Sequence, residues 1–327
     1  MEVIDNHTHL QIVVGWPGAK EPFWDDPAWP GAPGASDLLD QVPTAFVSVS
    51  MAVAQQTDAI ARHWVGIGKH LDLAASVGVT RVVEVGCDYD TLASTAVLAD
   101  NDPRVLAAVA IHPNEAVLHA GVREVGPDGL APRVEPRHDV GLDDALATVA
   151  RVAASSERVR VEGETGLDYF RTGPAGREVQ REAFRAHIAL AKELDLALQV
   201  HDRDAHADVV EVLVRDGAPQ RTVLHCFSGD VELARTCAEH GWACSFAGPL
   251  TYKANDALRA AAAQLPAELL LVETDAPFLA PVPYRGRPSS PYVVPVTVAA
   301  LAQVRGLGVA ETAALVTANA LRLYGSW

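Results

Sequence analysis

Short runs of β-branched and other apolar residues alternate with longer amphipathic stretches along most of the chain. This alternation of strands and helices is typical of a parallel sheet that is covered by helices. Eight runs have the length and composition of strands, at 3–5, 81–85, 105–111, 159–162, 197–200, 222–224, 243–246 and 269–272. Eight consecutive strand–helix units predict the α/β class and a closed (β/α)8 TIM barrel.

Two segments interrupt this alternation. Residues 11–42 are rich in Pro, Gly and Trp, which forbids helix and disfavours strand. Residues 119–139 form a polar stretch that contains several prolines. We predict that both are insertions in a single TIM-barrel domain spanning 1–327, although two ordinary domains also fit this length. The first insertion carries Trp16, Trp24 and Trp29, which we expect to pin the loop to the domain, with a lid as the alternative.

The composition limits the possible partners and the compartment. A formal net charge of −16 keeps a protein soluble and repels nucleic acid at long range, so a polyanionic substrate would need a local positive site. The four cysteines form no CxxC pair, which argues against a disulfide framework and a thiolate zinc site. The first residues, MEVIDNHTHL, do not resemble a signal peptide, and no apolar run approaches the ~20 residues of a membrane span. We therefore expect a cytoplasmic protein without a membrane partner.

Ionisable residues occur where the predicted strands end. His7 and His9 are two residues apart on the first strand, so they point to the same face and can bind one ion together, although this pair alone is weak evidence. The carboxyl ends of strands are where the catalytic groups of a TIM barrel gather. Four further residues occupy such positions after the fourth, fifth, sixth and eighth strands, namely Glu164, His201, His225 and Asp275. Together these six residues predict a metal centre at one mouth of the barrel.

Four imidazoles and two carboxylates exceed the needs of one tetrahedral zinc ion. The surplus favours two divalent ions, with Glu164 as the natural bridge between them. Two ions ~3.5–4 Å apart can polarise a phosphoryl or carbonyl oxygen and acidify a shared water. Asp275 could both bind one ion and accept a proton from that water. Histidine-rich ligation suits Zn²⁺, Mn²⁺, Co²⁺ or Fe²⁺, and Mg²⁺ stays open as well.

Several motifs resemble those of the TatD-type metal-dependent hydrolases of the amidohydrolase superfamily. They are HTHL, GETGLD, VHDR, HCFSG and ETDAPFLAP followed by RGRPSSP, and the similarity extends from His7 to the closing ANALRLYG. The resemblance implies a TIM barrel and metal ligation by the six residues named above. It also implies phosphodiester hydrolysis of DNA, usually described as DNase or 3′–5′ exonuclease activity. Residues 11–42 are longer than the family pattern leads us to expect, and 119–139 also looks extended.

Five further residues are candidates for supporting roles. His112, in a motif that resembles the IHP of the family, contacts either the substrate or backbone. Arg203 can donate a bidentate pair to a phosphate or form a salt bridge to a neighbouring aspartate. Arg285 and Arg287 lie on the loop after Asp275, where they either bind phosphate or remain solvated. Asp168 either holds a ligand histidine or caps its own turn, and we favour the cap.

Three functions follow, in order of preference. The first is a nuclease that binds single-stranded DNA or 3′ ends weakly, since the chain lacks the basic groove of strong nucleic-acid binders. The second is hydrolysis of a C–N or C–O bond in a small molecule or an aminoacyl-tRNA ester, which the same groups could perform. The third is a non-catalytic metal-binding or scaffold protein. No protein partner is predicted.

Overall fold

The strands form one parallel sheet whose spatial order follows the chain. A computed structural model describes residues 2–11 and 58–327, with side chains from residue 66 onward in the second range. Eight strands pair in the order β1 to β8, each parallel to its neighbours. They are β1 (Val3–Thr8), β2 (Val79–Gly86), β3 (Val105–Val109), β4 (Val159–Asp168), β5 (Ala197–Arg203), β6 (Thr222–Leu224), β7 (Ala243–Phe246) and β8 (Leu270–Val272).

The sheet closes on itself just beyond the end of β8. Thr8 forms a parallel bridge with Ala276. The His9 N–H donates to Ala276 O at 2.9 Å, and the Asp275 N–H donates to His7 O at 3.0 Å. These contacts produce a nearly closed eight-stranded barrel, which confirms the predicted α/β TIM-barrel fold.

Helices connect the strands and cover the outside of the barrel. Those described are α1 (Asp58–Ser76), α2 (Leu92–Asn101), α3 (Pro113–His119), α4 (Leu142–Ser155), α5 (Pro174–Glu193), α6 (His206–Asp216), α7 (Val231–His240), α8 (Asp256–Gln264), α9 (Val294–Arg305) and α10 (Val309–Tyr324). Local chemistry sets several boundaries. Proline begins α3 and α5, and the Asp230 side chain accepts from two backbone N–H groups at the start of α7.

Two strands extend further than the pattern of apolar residues predicts. The predicted 159–162 becomes β4, which continues to Asp168 because Thr165 and Asp168 pair with Val200 and Arg203 of β5. Glu164 therefore lies inside β4 rather than just past it, and β5 likewise continues beyond His201. Backbone pairing with a neighbouring strand compensates for the polar side chains, so the strands continue into the mouth of the barrel.

The barrel interior is a packed apolar layer below the mouth. One buried cluster contains residues of all eight strands, among them Ile4, Val83, Leu106, Val223 and Leu271. The same cluster includes Leu323 and Tyr324 of α10, so the last helix covers the amino-terminal end of the barrel. The alternate strand residues pack outward against the helices in two further clusters. The interior is thus filled by side chains, as in other TIM barrels.

The two predicted insertions differ in what the structure describes. Residues 12–42 of the first insertion lie outside the described residues, together with its three tryptophans. After His119, which is the last residue of α3, the 119–139 stretch forms irregular backbone followed by a short 3-10 helix, Pro136–Asp139. It lies against neighbouring elements, since Arg137 Nε donates to Glu115 Oε2 at 2.7 Å and the Ala175 N–H donates to Glu124 Oε2 at 3.0 Å. This stretch therefore runs beside α3 and the start of α5.

Across the described ranges, no single helix is long and apolar enough to cross a membrane. Only one pair of helices, Pro291–Arg305 and Val309–Tyr324, reaches that length and hydropathy when the two are taken together, and they are bent by 106° relative to each other.

We expect Leu106→Ala to destabilise the protein more than a matched change at the surface. Leu106 is 0% exposed inside the barrel, so truncation loses apolar burial and leaves a cavity, at a cost of about 2–5 kcal/mol. Val214 is 52% exposed on α6, and Val214→Ala is the control, with an expected change within about 0.5 kcal/mol. Urea unfolding followed by circular dichroism measures both. Equal midpoints for the two variants would contradict this packing.

Candidate metal centre

The six predicted ligands converge at the carboxyl end of the barrel, where they form two groups. In the first group the His7 and His9 Nε2 atoms are 3.3 Å apart. Asp275 Oδ1 lies 3.8 Å from His7 Nε2 and 3.7 Å from His9 Nε2. Glu164 Oε1 completes the group, 3.4 Å from His9 Nε2 and 3.9 Å from His7 Nε2.

The second group lies on the other side of the same glutamate. Glu164 Oε2 is 3.0 Å from His201 Nδ1 and 2.6 Å from His225 Nε2. These two ring nitrogens are 3.4 Å apart. The two oxygens of Glu164 therefore face different sets of histidines, so this carboxylate could be shared between two cations if both were bound.

A β-bulge determines that Glu164, rather than Glu162, faces the interior. Residues two apart on a regular strand share a face, so Glu162 and Glu164 would point the same way. The register shifts between the pairs Glu162–Leu198 and Thr165–Val200, where three residues of β4 span two of β5. Glu162 consequently points outward to His187 on α5, and Glu164 points into the barrel.

Two glycines allow β4 and β5 to approach closely on either side of Glu164. A Cβ on Gly163 would lie 2.6 Å from the Cβ of Gln199. Gly166 has φ +144°, and a Cβ there would lie 2.0 Å from the His201 carbonyl oxygen. The GETG sequence thus meets a steric requirement of the strands that carry Glu164 and His201.

The first two histidines each bind an acceptor through the nitrogen that faces away from the centre. His7 Nδ1 lies 2.9 Å from Gln199 Oε1, and His9 Nδ1 lies 2.9 Å from Val85 O. An acceptor at Nδ1 places the ring proton there and leaves the Nε2 lone pair directed at the centre. Both imidazoles are therefore oriented as metal ligands.

Carboxylates orient the other two histidines. His201 Nε2 lies 3.3 Å from Asp168 Oδ2, and His225 Nδ1 lies 3.3 Å from Glu273 Oε1. Asp168 also accepts from the Arg171 N–H at 2.9 Å, so it both caps its turn and contacts a ligand histidine. Carboxylate–histidine pairs of this kind support metal ligands in proteins. The donor set and its supporting acceptors fit a pair of divalent cations.

Protons compete with cations in the first group. Burial tends to lower the pKa of His9, but the nearby carboxylates of Asp275 and Glu164 outweigh it and hold this pKa well above its usual value. The pKa of neighbouring His7 is lowered well below its usual value by burial and by the charge of His225. Without a metal, a protonated His9 therefore faces a neutral His7.

The second group also favours positive charge. Burial opposes protonation of His201, yet contacts with Asp168 and Glu164 raise its pKa to about 9. The pKa of His225 is raised well above its usual value, because the Glu164 charge outweighs burial. Burial would raise the pKa of Glu164, but His225 and His201 hold it well below its usual range. The glutamate stays ionised, and either protons or metal ions balance its charge.

A buried aspartate holds the closing strands at the position of Asp275. Asp5 accepts from the Thr274 hydroxyl at 2.6 Å and from the Thr274 N–H at 2.9 Å. Asp275 follows directly with φ +55°, a left-handed conformation that aspartate tolerates better than most residues. The same seam that closes the barrel therefore directs the Asp275 carboxylate at His7 and His9.

His112 lies beside the second group. Its ring is 4.6 Å from the His201 ring in an edge-to-face arrangement. Its Nδ1 accepts from the Asn114 N–H at 3.1 Å, so in the neutral ring the proton is on Nε2. Burial, and then His201, lower the pKa of His112 to about 4, which keeps it a neutral donor near pH 7.

The three predicted arginines lie on exposed loops or strand ends rather than among the six residues of the two groups. The guanidinium of Arg203 is 3.9 Å from the centre of the Phe170 ring, and that of Arg285 is 4.5 Å from the centre of the Tyr252 ring. Arg203 forms no ion pair with its neighbouring aspartates in the described part of the chain, because they contact His201 and His206 instead. Arg287 is likewise exposed.

The sequence reasoning missed three residues of the centre. Gln199 and Glu273 each stand two residues before a predicted ligand, so the alternation of strand faces could have revealed them. Cys87 had no such signal, because it follows β2 in a segment without predicted ligands. Its Sγ lies 3.7 Å from Glu164 Oε1.

A second group of metal-binding residue types, Glu115, His119 and His138, is better explained as a hydrogen-bonded cluster. His138 Nδ1 accepts from the Glu135 N–H at 2.8 Å, so Nε2 carries the proton that it donates to Glu115 Oε2 at 2.9 Å. Arg137 donates to the same carboxylate at 2.7 Å. The His138 nitrogen nearest Glu115 therefore has no lone pair to offer a cation.

Metal affinity should rise with pH. Protons on His9, His201 and His225 must leave before these rings can bind a cation, so acid competes with metal. The pKa of His201 is raised to about 9. Below that pH, the apparent Kd for Zn²⁺ should fall by up to about tenfold for each unit by which the pH rises. Chelator competition between about pH 6 and about pH 9 measures this. Titration calorimetry in two buffers of different ionisation enthalpy checks proton release, and a pH-independent Kd without release would contradict it.

Comparison with known proteins agrees with this geometry. The family model described as TatD related DNase matches residues 67–325. The uncharacterised metal-dependent hydrolase TatD of Mycobacterium tuberculosis is 40% identical over 259 residues, which cover 78% of this chain and 89% of the relative. YabD of Bacillus subtilis, named in the same way, is 33% identical over 78% of this chain and 91% of its own. The crystal structure of YjjV, a TatD homologue from Escherichia coli K12, superposes with a TM-score of 0.67 at 26% identity, covering 78% of this chain and 90% of that one. The chain therefore belongs to the TatD-related family of metal-dependent hydrolases.

Proposed function

We propose that this protein hydrolyses phosphodiester bonds in DNA, in the manner of a 3′–5′ exonuclease, with two divalent ions held by His7, His9, Glu164, His201, His225 and Asp275. The observation that carries the proposal is the division of the Glu164 oxygens between two sets of ligands. When bound, the ions supply Lewis acidity toward the phosphoryl oxygen and lower the pKa of water. The family name, TatD related DNase, supports the choice of substrate.

Asp275 is the proposed proton acceptor. Its carboxylate is 3.7 Å from His9 Nε2 and partly open to the mouth, with 14% of the side chain exposed. A carboxylate at this position can contact a water that approaches from the mouth and receive its proton. Glu164 is more enclosed, with 7% of its side chain exposed, which suits a bridging role.

The rim of the mouth offers contacts for a phosphate and for a base. Arg203 and Arg285 each stack on an aromatic ring, which restrains the guanidinium and leaves its N–H edges available for bidentate contacts with phosphate. His112 can donate an Nε2 proton to a substrate oxygen near the second group. Phe278, which is 44% exposed three residues after Asp275, offers a surface on which a base can stack.

One observation favours a smaller substrate. The net charge of −16 repels a long polyanion, so DNA binding would depend on the bound ions and a few arginines, including Arg287. The second candidate is therefore hydrolysis of a C–N or C–O bond in a small molecule or an aminoacyl-tRNA ester by the same centre. A cytoplasmic location is consistent with either candidate and stays an expectation from the sequence.

Replacing Asp275 by Asn should abolish most of the activity. Asparagine cannot accept the proton from the attacking water, and we expect kcat to fall by about 10²–10⁴-fold. The assay uses 3′- and 5′-labelled single-stranded DNA and bis-p-nitrophenyl phosphate, with bound metal quantified in each preparation. Asp256→Asn, on an exposed surface, is the matched control.

Each outcome distinguishes the candidates. Shortening of DNA from its 3′ end, lost in Asp275→Asn, supports the exonuclease. Cleavage of the small ester alone points to a narrower substrate, and metal binding without cleavage of either would overturn the nuclease proposal in favour of amides, lactones or aminoacyl esters.

Arg285→Ala should weaken DNA binding without changing the chemistry on a small ester. Loss of a charge-assisted contact costs about 1.5–3 kcal/mol, so the KM for DNA should rise by roughly 10- to 100-fold. Hydrolysis of bis-p-nitrophenyl phosphate should be unchanged. Arg215→Ala is the control, because Arg215 lies in the last turn of α6, away from the mouth. Equal KM values for both variants would exclude Arg285 from the binding site.

A further inference from the structure

A closed polar layer lies directly beneath the metal centre, inside the otherwise apolar barrel. It consists of Asn6 on β1, Gln199 on β5, Ser245 on β7 and Tyr324 at the end of α10. Each of the four is at most 2% exposed. Buried polar groups carry a cost unless they are hydrogen-bonded, so the pattern of donors and acceptors determines which orientations are possible.

The backbone of Asn6 determines how the Gln199 amide is oriented. Gln199 Nε2 donates to Asn6 O at 2.6 Å and to Tyr324 Oη at 3.0 Å. Rotating the amide by 180° would place Oε1 against the Asn6 carbonyl, and two acceptors at that distance repel each other. Gln199 Oε1 must therefore face the other way, toward the metal centre.

Tyr324 completes the layer from the last helix. Its hydroxyl accepts from Gln199 and donates to Asn6 Oδ1 at 3.0 Å. Asn6 Nδ2 in turn donates to Ser245 Oγ at 2.7 Å. The Gln199 amide, the Tyr324 hydroxyl and the Asn6 amide each donate to an acceptor within the layer, which favours this arrangement over a rotated one.

The orientation of the Gln199 amide determines which ring nitrogen of His7 is protonated. Gln199 Oε1 lies 2.9 Å from His7 Nδ1 and can only accept, so Nδ1 must carry the ring proton. The Nε2 lone pair is then directed at Asp275 and Glu164. The opposite tautomer would leave a buried oxygen facing a buried lone pair and would place a proton where a cation binds.

We propose that Gln199 is a positioning residue that fixes the metal-binding tautomer of His7, and that Tyr324 reinforces it from the carboxyl-terminal helix. The inference rests on the proposed metal ligation by His7. If so, the affinity of the protein for one of the two metal ions depends on Gln199 and Tyr324, although neither residue contacts the ion or the substrate. Hydrogen-bond partners of metal ligands commonly have effects of about 10–100-fold on metal affinity.

The first test uses the metal-free protein. Long-range ¹⁵N–¹H spectra of the histidine-labelled chain, with the His7 signals assigned by comparison with His7→Gln, report which ring nitrogen is protonated. We expect protonated Nδ1 in the wild type. Gln199→Met, which has similar volume but no acceptor, should shift the proton toward Nε2. An unchanged tautomer in Gln199→Met would overturn the proposal.

The second test is Zn²⁺ titration of the same proteins by chelator competition. Gln199→Met should raise the Kd of one of the two ions by about 10–100-fold, with a smaller increase for Tyr324→Phe. The matched control is Asn319→Leu on the same helix. It removes two buried hydrogen bonds, to Ala267 O and Leu270 O, that have no connection to His7.

The outcomes separate this inference from the proposed function. If Gln199→Met and Asn319→Leu weaken Zn²⁺ binding equally, the effect is one of general stability and the positioning role is wrong. If the wild-type chain binds no divalent ion, the proposed function fails, and with it the effect on affinity, whereas the tautomer spectra still decide whether Gln199 orients His7.

Discussion

The burial of one carboxylate, that of Glu164, is the constraint on which the rest of this structure depends. An isolated charge inside a protein costs several kcal/mol, and this one is stable only because histidines from three other strands surround it. To reach that position, β4 needs a bulge after Glu162 and glycines at 163 and 166, where side chains would collide with β5. The requirement of one ionised group thus explains the local irregularity of the longest strand.

The same requirement extends to the closure of the barrel. Strands β8 and β1 meet through backbone hydrogen bonds, the Asp5–Thr274 contact and the Asn6 side chain, which donates to Val272 O, and it is there that His7, His9 and Asp275 are brought together. The contacts that close the barrel therefore also bring the residues of the first group together.

The barrel consists of layers with distinct chemistry. An apolar layer lies at the bottom, a hydrogen-bonded polar layer that contacts His7 lies above it, and the imidazoles and carboxylates of the two groups lie at the top. The rim adds arginines that stack on aromatic rings, on a protein whose total charge is strongly negative.

The sequence by itself determined the barrel, and it predicted the six residues that meet at the mouth of that barrel. The alternation of strands and helices can be read directly from the order of apolar and polar residues along the chain. Polar residues at the ends of apolar runs are equally easy to recognise there. Only the tertiary structure decided that Glu164 faces inward while Glu162 pairs with His187, since a bulge reverses the alternation that the pattern implies. It also decided which acceptor orients each histidine. Gln199 and His7 are separated by 192 positions, and such a pair becomes visible only when the strands meet in space.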